Sequence, residues 1–155
     1  YGRALLEHLV APAWQALGAV MLAPVSAHGD WTHAEDSALA LDALAQAAAR
    51  YGCGPRIITG YSLGAIGTWH LIAQSPAEFV AAVPIAGPPP GVAVGDTPVR
   101  ALNSSADRLF PAAATVEAVR ALSAAGRDAA CVLVEGVDHY AFAGFAHALS
   151  ALLPW

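Results

Sequence analysis

Ser62 stands at the centre of Gly60-Tyr61-Ser62-Leu63-Gly64, directly after the β-branched run Arg56-Ile57-Ile58-Thr59 and before the helix-like stretch Ala65 to Gln74. A serine hydroxyl is a weak nucleophile. It becomes a useful one only when held clear of the backbone, beside a base and beside donors that stabilise a developing oxyanion. A sharp strand-to-helix turn does this by forcing the serine into a strained conformation, which its flanks tolerate when the residues two positions away are tiny. Gly60 and Gly64 are expected to supply that room. The amide of Leu63, next to the nucleophile and near a helix N-terminus, is the expected oxyanion donor. G-x-S-x-G also arises in ordinary turns, so the strand before it and the helix after it carry the reading.

A base and an orienting acid complete such a relay, and the chain offers both in the order serine, acid, histidine. Val99-Arg100-Ala101-Leu102-Asn103-Ser104 reads as a short buried strand, and Asp107 follows its C-terminal end just before the break at Pro111. Ala130-Cys131-Val132-Leu133-Val134-Glu135 is a second apolar run, ended by Gly136, after which His139 leads into a last helix. His139 is the expected base and Asp107 the expected acid. An aspartate before a helix is equally at home as a cap or turn residue, so it is the joint order that selects Asp107. Asp138 is a rival acid, but a residue adjacent to the histidine usually points its side chain elsewhere. His8, His70 and His147 fall in helical segments and are read as packing or surface residues.

The elements that must position these groups alternate. Apolar residues at Leu5, Leu6, Leu9, Val10, Ala13, Trp14 and Leu17 mark a helix from Arg3 to Leu17, with Pro12 a point of kinking or division. Ala19 to Pro24 reads as a strand. Thr32 with Glu35 gives a capping-box signal for a helix running to about Arg50, with Gly52 as its stop. Strands at 56–61, 80–86, 99–104 and 130–135, with helices at 65–74, 112–125 and 140–152, complete the pattern, and a Pro- and Gly-rich loop from Gly87 to Pro98 lies over the expected site edge. Such alternation implies an α/β fold, a mostly parallel sheet of about five strands with helices on both faces. The strand C-termini then share one edge, which is where Ser62, Asp107 and His139 converge.

This set of motifs resembles the α/β-hydrolase superfamily, and more narrowly the carboxylesterases and the polyhydroxybutyrate-depolymerase-like or prolyl-oligopeptidase-like esterases. The likeness runs through Gly60 to Trp69, Ser75-Pro76-Ala77-Glu78-Phe79, Val83-Pro84-Ile85-Ala86-Gly87, Thr97-Pro98-Val99-Arg100 with Asp107, and Gly136-Val137-Asp138-His139-Tyr140. It implies ester hydrolysis through an acyl-serine intermediate, with no metal or organic cofactor. Members of the family carry, upstream of the serine turn, a strand ending in a His-Gly-type loop that supplies a second oxyanion N–H. No such strand precedes Tyr1, so the resemblance implies a domain lacking the N-terminal strands of the full fold, with Tyr1 as the candidate second donor. Loss of one such donor costs about 2.7 to 4 kcal/mol of transition-state stabilisation, so low activity is expected of this chain alone. The absent strand would lie between those at 19–24 and 56–61, which are therefore expected to pair directly or to leave an edge that associates.

Length and composition bound the alternatives. One α/β-hydrolase domain, partial at its N-terminus, fits the 155 residues, which are too few for a complete hydrolase of this kind with a lid. With 57% hydrophobic and 12% charged residues the chain is far from disordered, and a net charge of −5 argues against nucleic acid. Leu9 to Ala27 carries no charge, but Pro12, Gln15, Gly18, Pro24 and Ser26 interrupt it, so no membrane span is expected. Cys53 and Cys131 lack metal or redox spacing and read as free thiols, which favours a cytoplasmic location. His28, Asp30, His33, Glu35 and Asp36 crowd one loop without fixed ligand spacing, and no metal site is assigned there. Trp31 in that loop and Tyr61 beside the nucleophile are the expected substrate-binding residues. The partner is a small-molecule ester, and the sequence leaves the oligomeric state open. The same triad would serve an acyltransferase or serine peptidase, and the fold alone could serve as a non-catalytic binding module.

Overall fold

The apolar runs of the sequence become four parallel strands, β1 (Ile57–Tyr61), β2 (Ala81–Ile85), β3 (Val99–Ser104) and β4 (Ala129–Val134), hydrogen-bonded in the order β1-β2-β3-β4. The computed structural model describes residues 2–52, 54–91 and 94–152. Burial follows position in the sheet: all of β2 and nearly all of β3 are buried, whereas β1 and β4, at the two edges, are half exposed. The two inner strands therefore read as continuous apolar segments, as strands covered on both faces must.

Alternation along the strands sorts side chains onto two faces. Tyr61, Val83, Ile85 and Leu102 point to one face, where they pack with Leu9, Ala13 and Trp14 of the N-terminal helical run and with Phe145 and Leu149 near the C-terminus. Ala82, Val99 and Ala101 point to the other, against Trp69, Leu71 and Ile72 of α4 (Leu63–Gln74), Val119 of α5 (Ala112–Ala124), and Leu41 and Leu44 of α3 (Ala34–Tyr51). Helices on both faces of a parallel sheet were the expected architecture, and the structure has it.

One local expectation is met and three are corrected. The helix from Arg3 to Leu17 is interrupted as Pro12 implies: α1 (Gly2–Leu5) passes through a π-turn (Leu6–Val10) into α2 (Ala11–Trp14) and a final 3-10 turn (Gln15–Leu17), with the Ala11 amide reaching back to Leu6 O. Proline has no N–H for the regular ladder, and the widened turn absorbs the missing bond. The segment 19–24 is not a strand, and it makes no backbone hydrogen bond to β1 among the described residues, so the direct pairing expected of it does not occur. The capping box at Thr32 and Glu35 does not form: α3 begins after His33 without a side-chain cap, because the Thr32 hydroxyl and amide both turn back to Asp30 Oδ1 at 2.7 and 2.8 Å. The last helix starts late, as a 3-10 turn (Phe142–Phe145) leading into α6 (Ala146–Ala151), because residues 138–141 are held in a turn by the Ala141 amide on Asp138 O.

Candidate active site

Residues 57–61 run up β1 to the sheet edge, and the chain reverses at Ser62 into α4. Ser62 takes φ 59° and ψ −119°, in the positive-φ half of the backbone map that a side chain disfavours. Several groups over-determine this conformation. The Ser62 amide donates to Ile85 O at 2.9 Å, and Ser62 O accepts the amides of Ala65 and Ile66 at 2.9 and 3.2 Å. Room comes from glycine, though not from both of the expected ones. A Cβ on Gly60 would lie 2.0 Å from Gly64 O, whereas a Cβ on Gly64 would meet nothing within 4 Å. The second indispensable glycine is Gly87, at the end of β2, whose Cβ would fall 2.6 Å from Ser62 O. Its carbonyl is held by the Trp69 indole N–H at 3.1 Å, and Ala86 before it has φ 55°. The signal for Gly87 in the sequence was its place immediately after an apolar strand.

The three residues singled out by order in the chain meet at this edge. His139 Nε2 lies 2.9 Å from Ser62 Oγ, and His139 Nδ1 lies 2.8 Å from Asp107 Oδ2. Asp107 is buried, and its second oxygen, Oδ1, accepts the amides of Leu109 and Phe110 at 2.9 and 2.8 Å. The aspartate thus fills its cap-like role and its contact with the histidine at once, with one oxygen for each. His139 is itself only 4% exposed and stands edge-on to the Phe110 ring at 5.5 Å. The acid and base loops are joined by Ser105, whose hydroxyl donates to Glu135 at 3.0 Å and whose amide donates to Val134 O. Asp138 is not part of this contact: its Oδ1 takes the Tyr140 amide at 3.0 Å.

The Leu63 amide lies in the first turn of α4, where an N–H has no helical acceptor, and no hydrogen bond occupies it among the described residues. Tyr1, the other expected donor, and Cys53 lie outside the described residues. Cys131 is a free thiol whose burial pushes its pKa up to about 11. The two substrate-binding expectations are corrected. Tyr61 is buried, with its phenol donating to His139 O and its ring packed against Phe142 and Phe145, because the period of the strand turns it into the core face. Trp31 packs onto α4 so closely that a Cβ on Gly67 would lie 2.2 Å from the Trp31 Cβ, which makes it a packing residue of that helix. Beside the three residues in sequence stand Leu63, Leu109 and Tyr140, which are 53%, 52% and 69% exposed.

The acidic loop is organised around one buried carboxylate. Asp36 accepts the Ser26 hydroxyl at 2.7 Å and the amides of Ala27 and His28 at 2.9 and 3.1 Å. Burial alone would raise its pKa, but these bonds, with a further one from the His28 side chain, outweigh it and hold the group at about 2. His28, His33 and Glu35 lie close enough for their ligand atoms to fall within 4.8 Å of one another, which the spacing in the sequence did not suggest. The two imidazoles are stacked at 4.0 Å with planes 16° apart, so their in-plane lone pairs run side by side instead of converging.

No protein-family profile matches the sequence, and no curated protein matches it. Solved structures do. Esterase PE8 superposes with a TM-score of 0.62 at 26% identity, over 76% of this chain and 60% of its own. A Xanthomonas campestris protein described as a hydrolase of the α/β superfamily superposes at 0.63 and 24% identity, over 92% of this chain and 83% of its own. The acylaminoacyl peptidase of Pyrococcus horikoshii gives 0.62 at 16% identity, over 79% and 27%. The chain spans less than two thirds of the length of the esterase and of the peptidase. No helix among the described residues is long and apolar enough to cross a membrane. With its parallel sheet, its strand-to-helix serine turn and these likenesses, the chain has the fold of the α/β hydrolases.

Proposed function

We propose that the chain is a serine hydrolase that cleaves carboxylic esters of small or medium acyl groups through an acyl-serine intermediate. The observation that carries this reading is the continuous run of contacts from Ser62 Oγ through the His139 imidazole to Asp107, 2.9 and 2.8 Å long. In the tautomer with its proton on Nδ1, His139 donates to Asp107 and presents a free Nε2 lone pair to the serine hydroxyl. Attack forms the bond from Ser62 Oγ to the acyl carbon as the hydroxyl proton passes to Nε2. Collapse breaks the bond to the leaving oxygen, which departs as the alcohol with that proton. Water then attacks the acyl-serine with His139 again as base, releasing the acid and restoring Ser62. The Leu63 amide donates to the oxyanion formed at each attack.

Leu63 and Tyr140, next in sequence to Ser62 and His139, and Leu109, two residues after Asp107, are exposed side chains that would suit an acyl group, and the chemistry calls for no metal or organic cofactor. A cytoplasmic setting belongs to the same reading. An acyltransferase shares every step up to the acyl-serine and differs in the acceptor. A panel of 4-nitrophenyl esters from acetate to dodecanoate, with and without an added alcohol, tests the proposal. Hydrolysis is expected to peak at short or medium chains and to fall about a thousandfold or more in Ser62→Ala. Equal turnover by Ser62→Ala overturns the proposal, and an ester of the added alcohol as main product turns it toward transfer.

A further inference from the structure

We propose that Tyr61 is a positioning residue that sets the distance between nucleophile and base. This rests on the reading of Ser62 and His139 in those roles. Tyr61 immediately precedes Ser62, and its phenol donates to the backbone carbonyl of His139, 78 residues away in the chain. The side chain therefore spans from the backbone that carries the hydroxyl to the backbone that carries the imidazole. Its ring lies 5.4 Å from the His139 ring, and Phe142 and Phe145 brace it at 6.1 and 5.9 Å. At 6% exposure it is screened from any substrate and from competing water.

The turn bearing His139 explains why such a tie matters. Its own bonds are local, from the Tyr140 amide to Asp138 Oδ1 and from the Ala141 amide to Asp138 O. These fix the shape of the turn, and Ser105, bonded to Glu135 and to the Gly136 amide, holds its start to the acid loop, but none of them ties the His139 backbone to β1. The Nδ1 contact with Asp107 orients the ring about that nitrogen, but it leaves the height of Nε2 above Ser62 to whatever holds the His139 backbone. The Tyr61 hydroxyl supplies that hold from β1, the strand that also delivers Ser62. Reaction rates are steep in such geometry, where a misplacement of about 1 Å can cost roughly a hundredfold.

Tyr61→Phe removes one oxygen and keeps the ring. Leu149→Ala takes stability from the same buried cluster without touching the hydroxyl or the rings that brace it, and it serves as the control. Both are assayed for ester turnover and fluorophosphonate labelling at a temperature where circular dichroism matches wild type, with sucrose added where needed to keep the variant folded. The expected result for Tyr61→Phe is a fall of roughly ten- to a hundredfold in kcat and in labelling rate with KM unchanged, while Leu149→Ala keeps wild-type kcat. A Tyr61→Phe protein that labels as fast as wild type, or a Leu149→Ala protein that slows equally, refutes the positioning role and leaves the hydrolase reading intact. A wild-type protein that neither turns over esters nor labels refutes the hydrolase reading and this inference with it.

Discussion

Residues 57–151 and residues 19–33 respond differently to comparable local signals. In the first region β3 occupies the residues expected of it, and β2 and β4 lie within about a residue of theirs. In the second, an apolar stretch that reads as a strand joins no sheet, with Val20 60% and Val25 84% exposed, and a capping box gives way to a turn around Asp30. The difference lies in the partners. Val83 in β2 has a ladder on each side, so its β-propensity is realised in packing. Val20 has no neighbouring strand among the described residues, and propensity alone does not hold a strand in place.

The sharpest way to break this comparison lies inside the serine turn, where two glycines of one motif should behave oppositely. Gly60→Ala drives a Cβ into Gly64 O and is expected to cost about 3 kcal/mol or more, or to prevent folding, as read by urea denaturation. Gly64→Ala meets open space and is expected to stay within about 0.5 kcal/mol of wild type. Equal losses would mean that backbone freedom, and not contact, explains both glycines.

The two regions are compared directly by truncating one valine in each. Val83→Ala, at 2% exposure, removes two buried methyl groups and should cost about 2 kcal/mol, whereas Val20→Ala should cost less than about 0.5 kcal/mol. A large loss at Val20 would show that the segment packs or pairs after all.

The smallest expected effect sharpens the picture of the loop that follows that segment. The Asp36 carboxyl has its pKa lowered from 3.8 to about 2 in the folded chain, so its contribution is fully present above about pH 4 and lost as pH falls toward 2. Urea midpoints of wild type and Asp36→Asn should therefore differ at neutral pH and converge across that interval. A gap that persists at pH 2 would place the stabilisation somewhere other than the charged carboxylate.

Much of the site was legible because each chemical residue follows an apolar run bounded by Gly or Pro, and a parallel sheet gathers strand C-termini at one edge. Ser62, Asp107 and His139 could be named in this way without knowing any distance. What stayed hidden depended on side-chain direction and on contacts across the chain. Tyr61 lies next to the nucleophile in sequence, and that adjacency suggested a substrate wall. Strand alternation instead puts it in register with Ile57 and Thr59 and turns it under His139, a signal that was present but outweighed by proximity. Gly87 matters because β2 passes under the serine turn, which only the pairing of β1 with β2 reveals. Asp36 looked like one more acid in a crowded loop until three donors from residues 26–28 were seen to converge on it.

The central claim is that Ser62 is a nucleophile activated by His139 and Asp107, and the rate of covalent labelling by a fluorophosphonate, with the modified peptide mapped by mass spectrometry, tests it most directly. The account expects the label on Ser62, absent in Ser62→Ala and slowed about a hundredfold or more in His139→Ala and in Asp107→Asn, with circular dichroism unchanged. Label on another residue, or labelling of Ser62 at the same rate without His139, would contradict it.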